Sequence, residues 1–161
     1  MRKMLFFGVS AAAVSAAVLL VNTGALATVV ARTSSQASAV KISTRTLPRL
    51  GVVLVNSKGR TLYMFVPDKR TKVTCVRSCA VVWPPVKLPS GAKAVAGGKA
   101  KQSLLGSDRN PSGGRVVTYN KWPLYTYVSD TAAGQARGQA LNLNGGYWYV
   151  LAPSGKVIRT R

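Results

Sequence analysis

Two pairs of residues in this chain have the types and spacing that chemistry requires. Cys75 and Cys79 enclose Val76-Arg77-Ser78, and Asp68 and Asp130 stand 62 residues apart in matching contexts. Close thiols can form a disulfide or cycle as a redox dithiol, and the Arg77 charge between them would favour the thiolate. The spacing differs from the Cys-x-x-Cys of thioredoxin-like oxidoreductases, no βαβ pattern surrounds it, and haem attachment needs a His that the chain lacks. A structural disulfide is the first reading, and closing so short a loop adds about 2 kcal/mol in the chain-entropy picture. An envelope redox protein using the same pair is the alternative. Asp68 and Asp130 invite comparison with a paired-carboxylate active site. Each, however, ends an apolar run, where a carboxylate accepts backbone N–H groups and fixes a turn. In so basic a chain its pKa should be low, which suits an acceptor better than a general acid. Both are read as turn anchors.

The inventory narrows the chemistry further. The 161 residues include 23 Lys+Arg against 3 Asp+Glu and no His, a net charge of +20. Asp108 is the third acid, and Glu is absent. Without His there is no Ser-His-Asp or Cys-His relay and no imidazole ligand for zinc, copper or haem iron. Calcium and two-metal sites draw on several carboxylates. No catalytic, metal or cofactor-binding residue is assigned, and the protein reads as non-enzymatic.

The elements that must position these residues begin after an export signal. Arg2 and Lys3 precede an apolar, Ala-rich run over 4–21, which Asn22-Thr23-Gly24 interrupts. Ala25-Leu26-Ala27 then presents small residues where a signal peptidase reads them. Residues 1–27 are read as a cleaved signal peptide. Retention as an anchor is the alternative, since the run approaches the ~20 residues of a spanning helix. Residues 28–46, rich in Ser, Thr and Ala with Arg32, Lys41 and Arg45, read as a flexible basic linker.

Residues 47–161 read as a single β domain. Strands are predicted over 51–55 and 61–66, joined as a hairpin by Asn56-Ser57-Lys58-Gly59. A second hairpin spans 115–119 and 124–128 around Asn120-Lys121, and a third spans 147–151 and 156–159 around Ala152-Pro153-Ser154-Gly155. Leu62-Tyr63-x-Phe65-x-x-Asp68 returns as Leu124-Tyr125-x-Tyr127-x-x-Asp130, and each copy precedes a Trp-led segment at Trp83 or Trp148. Two repeats, about 50–88 and 114–159, follow from this. In the second, Tyr125 and Tyr127 share one face. In the first, both faces of 62–66 are apolar, which predicts a central strand. Residues 87–112 read as connection, with Leu104-Leu105 plugging the core. Helix is confined to single turns near 79–82 and 139–143. The expected fold is all-β, a small antiparallel domain built from two homologous repeats whose hairpins are marginal alone.

At this point the residues resemble a family. The doubled Tyr-x-aromatic-x-x-Asp motif, the Cys pair after its first copy and Trp83-Pro84-Pro85 resemble bacterial secreted-repeat lipoproteins with a Yx(FWY)xxD motif. So do Leu104-Leu105-Gly106, Val117-Thr118-Tyr119-Asn120, Trp122-Pro123-Leu124-Tyr125 and Trp148-Tyr149-Val150-Leu151. The resemblance implies an exported envelope protein of no established activity, secreted, periplasmic or extracellular. Many members carry a lipobox Cys. This chain has none, so a lipid anchor is not expected.

Charge suggests the partner. Lys69, Arg70, Lys72 and Arg77 follow the first motif and are the candidate polyanion contacts. A field this basic attracts polyanions, and outside the cytoplasm those are anionic envelope polymers and lipid headgroups. An aromatic-basic β surface can also stack single-stranded nucleic acid, but export argues against that role and no specific nucleic acid is expected. On one strand Tyr147, Trp148 and Tyr149 cannot all face inward.

Overall fold

The computed structural model describes residues 39–160. The N-terminal segment read as a signal peptide and the first part of the predicted linker lie outside the described residues. Strands dominate: β1 (Ala39–Leu47), β2 (Gly51–Asn56), β3 (Tyr63–Phe65), β4 (Lys87–Leu88), β5 (Lys93–Ala96), β6 (Leu105–Arg109), β7 (Arg115–Tyr119), β8 (Trp122–Pro123), β9 (Asn142–Leu143) and β10 (Gly146–Val150). One short α-helix, α1 (Ser78–Val82), stands near the expected place, and single 3-10 turns at Val66–Asp68 and Gln102–Leu104 add helix where none is expected. The strands form three sheets, ordered β2-β1-β5, β3-β10-β9 and β4-β7-β6, with β8 added to β7. The fold is all-β.

Several local expectations change. Residues 39–46 form most of β1 and are not linker. Val40, Ile42, Thr44 and Thr46 give this strand a β-branched residue at every second position, and Ile42 is fully buried. Its pairing with β2 runs from Ile42 opposite Asn56 to Leu47 opposite Gly51. The segment 87–112 also holds strands: β5 lies parallel on β1, and β6 antiparallel on β7. Leu104 and Leu105 do pack against the core. No helix forms over 139–143, where a turn containing Ala140 at φ 57° leads into β9. The second and third turns form as expected, the second through Asn120 and Lys121 at φ 48° and 67°, but their return strands do not. β7 pairs with β8 at Trp122–Pro123 rather than with a strand over 124–128, and beyond β10 only the single bridge of Leu151 with Val157 stands in place of a strand over 156–159.

The first predicted hairpin opens after one bridge, Val55 with Thr61, and β3 leaves to pair with β10. That departure carries the architecture. Tyr63 and Tyr125, equivalent residues of the two repeats, exchange backbone hydrogen bonds of 2.9 Å in both directions. Each Trp-led segment then pairs with the Tyr-x-aromatic strand of the other repeat. Trp148 stands opposite Phe65, and the Thr126 N–H donates to the Pro84 carbonyl at 2.9 Å. Leu54 N–H to Leu151 O and Val117 N–H to Val86 O extend the exchange outward.

Alternation then divides the interior. Tyr63, Phe65, Tyr125, Trp83 and Trp148 fill one core, and Leu62, Met64, Leu124, Val117 and Leu151 fill another. β3 is therefore covered on both faces, as its apolar sequence requires. A fragment ending at Lys101 has β3 but lacks β10, Tyr125 and Trp148. It should show no cooperative thermal transition by circular dichroism, and a sharp transition at the temperature of the whole chain would contradict the exchange.

Candidate functional site

The motif residues meet at the centre of the exchange. The Tyr63 hydroxyl donates to Asp130 Oδ2 at 2.6 Å, and the Tyr125 hydroxyl donates to Asp68 Oδ2 at 2.8 Å. Each tyrosine thus serves the aspartate of the other copy. The remaining carboxylate oxygen anchors its own loop. Asp68 Oδ1 accepts from the Thr74 N–H at 2.8 Å and the Thr74 hydroxyl at 2.6 Å, and Asp130 Oδ1 accepts from the Arg137 N–H at 2.8 Å. The Gly138 N–H donates back to the Tyr63 hydroxyl at 3.2 Å.

All four side chains are buried, and burial sets their protonation. It raises the Asp68 and Asp130 carboxyls above their ordinary value, against the opposing pull of their hydrogen-bond donors. This overturns the expected low pKa, because removal from water outweighs the positive field. Burial and the facing carboxylates push both tyrosine hydroxyls far above their ordinary range, so they remain protonated donors.

An aromatic column stands beside the pairs. Trp83 and Trp148 stack with centroids 3.8 Å apart and planes 3° from parallel. Phe65 covers the outer face of Trp148, and Tyr127 that of Trp83, both at 4.1 Å. Tyr63 and Tyr125 close the sides edge-on, at 5.4 and 5.2 Å. A Cβ on Gly138 would stand 2.7 Å from Trp83 and 2.9 Å from Tyr63, so only glycine fits. Cys75 and Cys79 form a disulfide with Cα atoms 5.2 Å apart. Cys75 is buried in the same core, and α1 runs directly into Trp83.

The cationic candidates divide. Lys69, Arg70 and Lys72 share an exposed turn in which residues 69, 70 and 71 all have left-handed φ of 47°, 56° and 68°. The Thr71 N–H donates to the Lys121 carbonyl at 2.9 Å, which clips this turn to the β7–β8 turn and adds a fourth cation. The Arg70 guanidinium lies 5.6 Å over the Trp122 ring. Arg77 does not join them; it borders a separate recess with Lys87 and Asn110. Lys121 and Trp122 escaped sequence reasoning, because a tight turn was legible there but its neighbour in space was not. Of the aromatic triplet, Trp148 is fully buried, Tyr149 is 9% exposed and Tyr147 is 41% exposed. Tyr147 borders an open recess of about 630 Å³ with Leu47, Leu50, Ala136 and Leu141.

Comparison with known proteins adds one match. A family model described as a secreted repeat of unknown function covers residues 45–87 and 107–152, one stretch for each motif copy. No curated protein and no solved structure matches.

The carboxyl environments predict an unusual acid response. A carboxyl raised in the fold binds its proton more readily folded than unfolded. Its stabilising contribution is fully present below the unfolded value of 3.8 and is lost as pH rises through the folded value. With no His or Glu, few other groups titrate in this region. At constant moderate salt, the melting temperature should rise as pH falls from 7 toward 4. A steady fall over that range would show carboxylates held in their charged form.

Proposed function

We propose that this chain, which belongs to the family of secreted repeats of unknown function, is a non-enzymatic exported module that docks on anionic components of the cell envelope through its basic exterior. The observation that carries this reading is the separation of charge by depth. Asp68 and Asp130 are sequestered with tyrosines, and Asp108 is half-buried near Arg115. Lys69, Arg70, Lys72 and Lys121 face solvent. The acids therefore do little to neutralise the surface, and an exterior of one sign reaches oppositely charged partners over about 8 Å at physiological salt.

The remaining features support the same reading. Export runs through the N-terminal segment, cleaved after Ala27, and the mature chain works as one domain that includes β1. No helix among the described residues is long and apolar enough to cross a membrane. α1 is five residues long, too short to lie amphipathically on a lipid surface. Attachment is thus Coulombic, to lipid headgroups or to anionic envelope polymer. The burial of Cys75 favours a structural disulfide over a cycling dithiol, because a redox pair needs an accessible, activated thiol.

Vesicle binding tests the reading. The mature protein should bind vesicles rich in anionic lipid at low salt, release as salt rises, and ignore neutral vesicles. Each basic residue near such a surface contributes about 1 kcal/mol. The variant K69Q/R70Q/K72Q should therefore bind on the order of 100-fold more weakly while melting normally. Equal binding to neutral and anionic vesicles would contradict the proposal.

A further inference from the structure

A second basic surface lies where the sequence suggested only a linker. Lys41, Ser43 and Arg45, every second residue of β1, share the face opposite the buried Ile42. With Thr44, Ser57 and Lys58 they border an open recess of about 610 Å³. No carboxylate among the described residues lines it. All three cations are exposed, and no side-chain hydrogen bond among the described residues engages them.

The surroundings shape the recess closely. The Gly97 N–H donates to the Ile42 carbonyl at 2.8 Å, which lays the chain after β5 against β1. A Cβ on Gly97 would stand 2.6 Å from Lys41 Cε, and one on Gly98 would stand 2.5 Å from Thr44 Oγ1. The Lys99 N–H donates to that same hydroxyl at 3.0 Å, which holds this loop against β1. On the other side the Arg45 guanidinium lies over Gly59 and Gly134, which would bring a Cβ to 3.3 and 3.7 Å from its nitrogens. Arg45 is thereby seated at one wall, with Lys41 and Lys58 as its companions.

We infer that this recess binds a phosphodiester-linked polymer, one phosphate held by Arg45, Lys41 and Lys58. The donor set fits that chemistry. A guanidinium fork matches two oxygens of a phosphate, ammonium groups add point charges, and hydroxyls complete its hydrogen bonds. Shape separates the polymer from a membrane, because a single chain can enter a recess whereas a flat lipid surface meets a projecting turn such as 69–72 more readily. The inference rests on the proposed attraction to anionic envelope components and names one of them by its chemistry.

The test uses the mature secreted protein with three probes: poly(glycerol phosphate), inorganic phosphate, and phosphatidylglycerol vesicles. Affinities are measured by titration at fixed low salt for the unaltered protein, for K41Q/R45Q/K58Q and for K69Q/R70Q/K72Q. The recess variant should lose polymer affinity by about 100-fold while vesicle binding changes less than about threefold, and the turn variant should show the reverse. Inorganic phosphate should bind far more weakly than the polymer and compete with it at the recess. If the triple recess variant melts early, Lys58→Glu, in an exposed turn, replaces it and should weaken polymer binding by at least about tenfold. Unchanged polymer affinity in the recess variants, or parallel losses for both probes in both triple variants, would overturn the recess. Vesicle binding with no polymer binding by the unaltered protein would overturn the recess alone. Binding to neither would overturn the envelope reading with it.

Discussion

The structure depends on a buried carboxylate whose hydroxyl donor belongs to the other repeat. Asp68 and Asp130 are out of water, and an unpaired carboxyl there would cost several kcal/mol. Their own repeats supply backbone N–H groups from the loops they anchor, and the tyrosine donors come from across the exchange. The Trp83–Trp148 stack repeats the logic with apolar surface, since one face of each indole is covered by the ring from the other copy. Neither repeat can complete its own core. Duplication here produces one interdigitated body, and the size of each unit alone would make it marginal.

The same arrangement explains the exterior. Because the motif acids serve inside, the surface carries the cations almost unopposed, and self-repulsion must be offset by packing. The column of stacked rings and the disulfide beside Trp83 concentrate that packing where the repeats cross. Basic residues then occupy turns and strand faces that the core does not need. The consecutive left-handed residues 69–71 are one such turn, held by the Thr71–Lys121 hydrogen bond rather than by local preference.

Much of this was legible in the sequence, for identifiable reasons. The doubled motif, the apolar run at 62–66 and the turn at Asn120-Lys121 follow from alternation and turn chemistry, which are local properties. Asp68 and Asp130 were legible as loop anchors because carboxylates at strand ends accept nearby N–H groups. Their tyrosine partners were not, since periodicity says which face a side chain takes and nothing about which strand lies beside it. β1 was hidden by Lys41, Ser43 and Arg45 on its solvent face, which made an alternating strand resemble a polar linker. β5, Lys93–Ala96, is short and finds its place only on β1. Net charge can be counted along the chain and points to low carboxyl pKa values, whereas the burial that raises them belongs to the fold.

A double-mutant cycle tests the crossed pairing most directly. Tyr63→Phe and Asp130→Asn, measured singly and together by denaturant unfolding, should couple by about 1–3 kcal/mol, because they remove two ends of one buried hydrogen bond. Tyr63→Phe combined with Asp68→Asn, the aspartate of its own repeat, should be additive within about 0.5 kcal/mol. Strong coupling within the repeat and none across it would mean that each copy closes on itself, and the account of one interlocked core would fail.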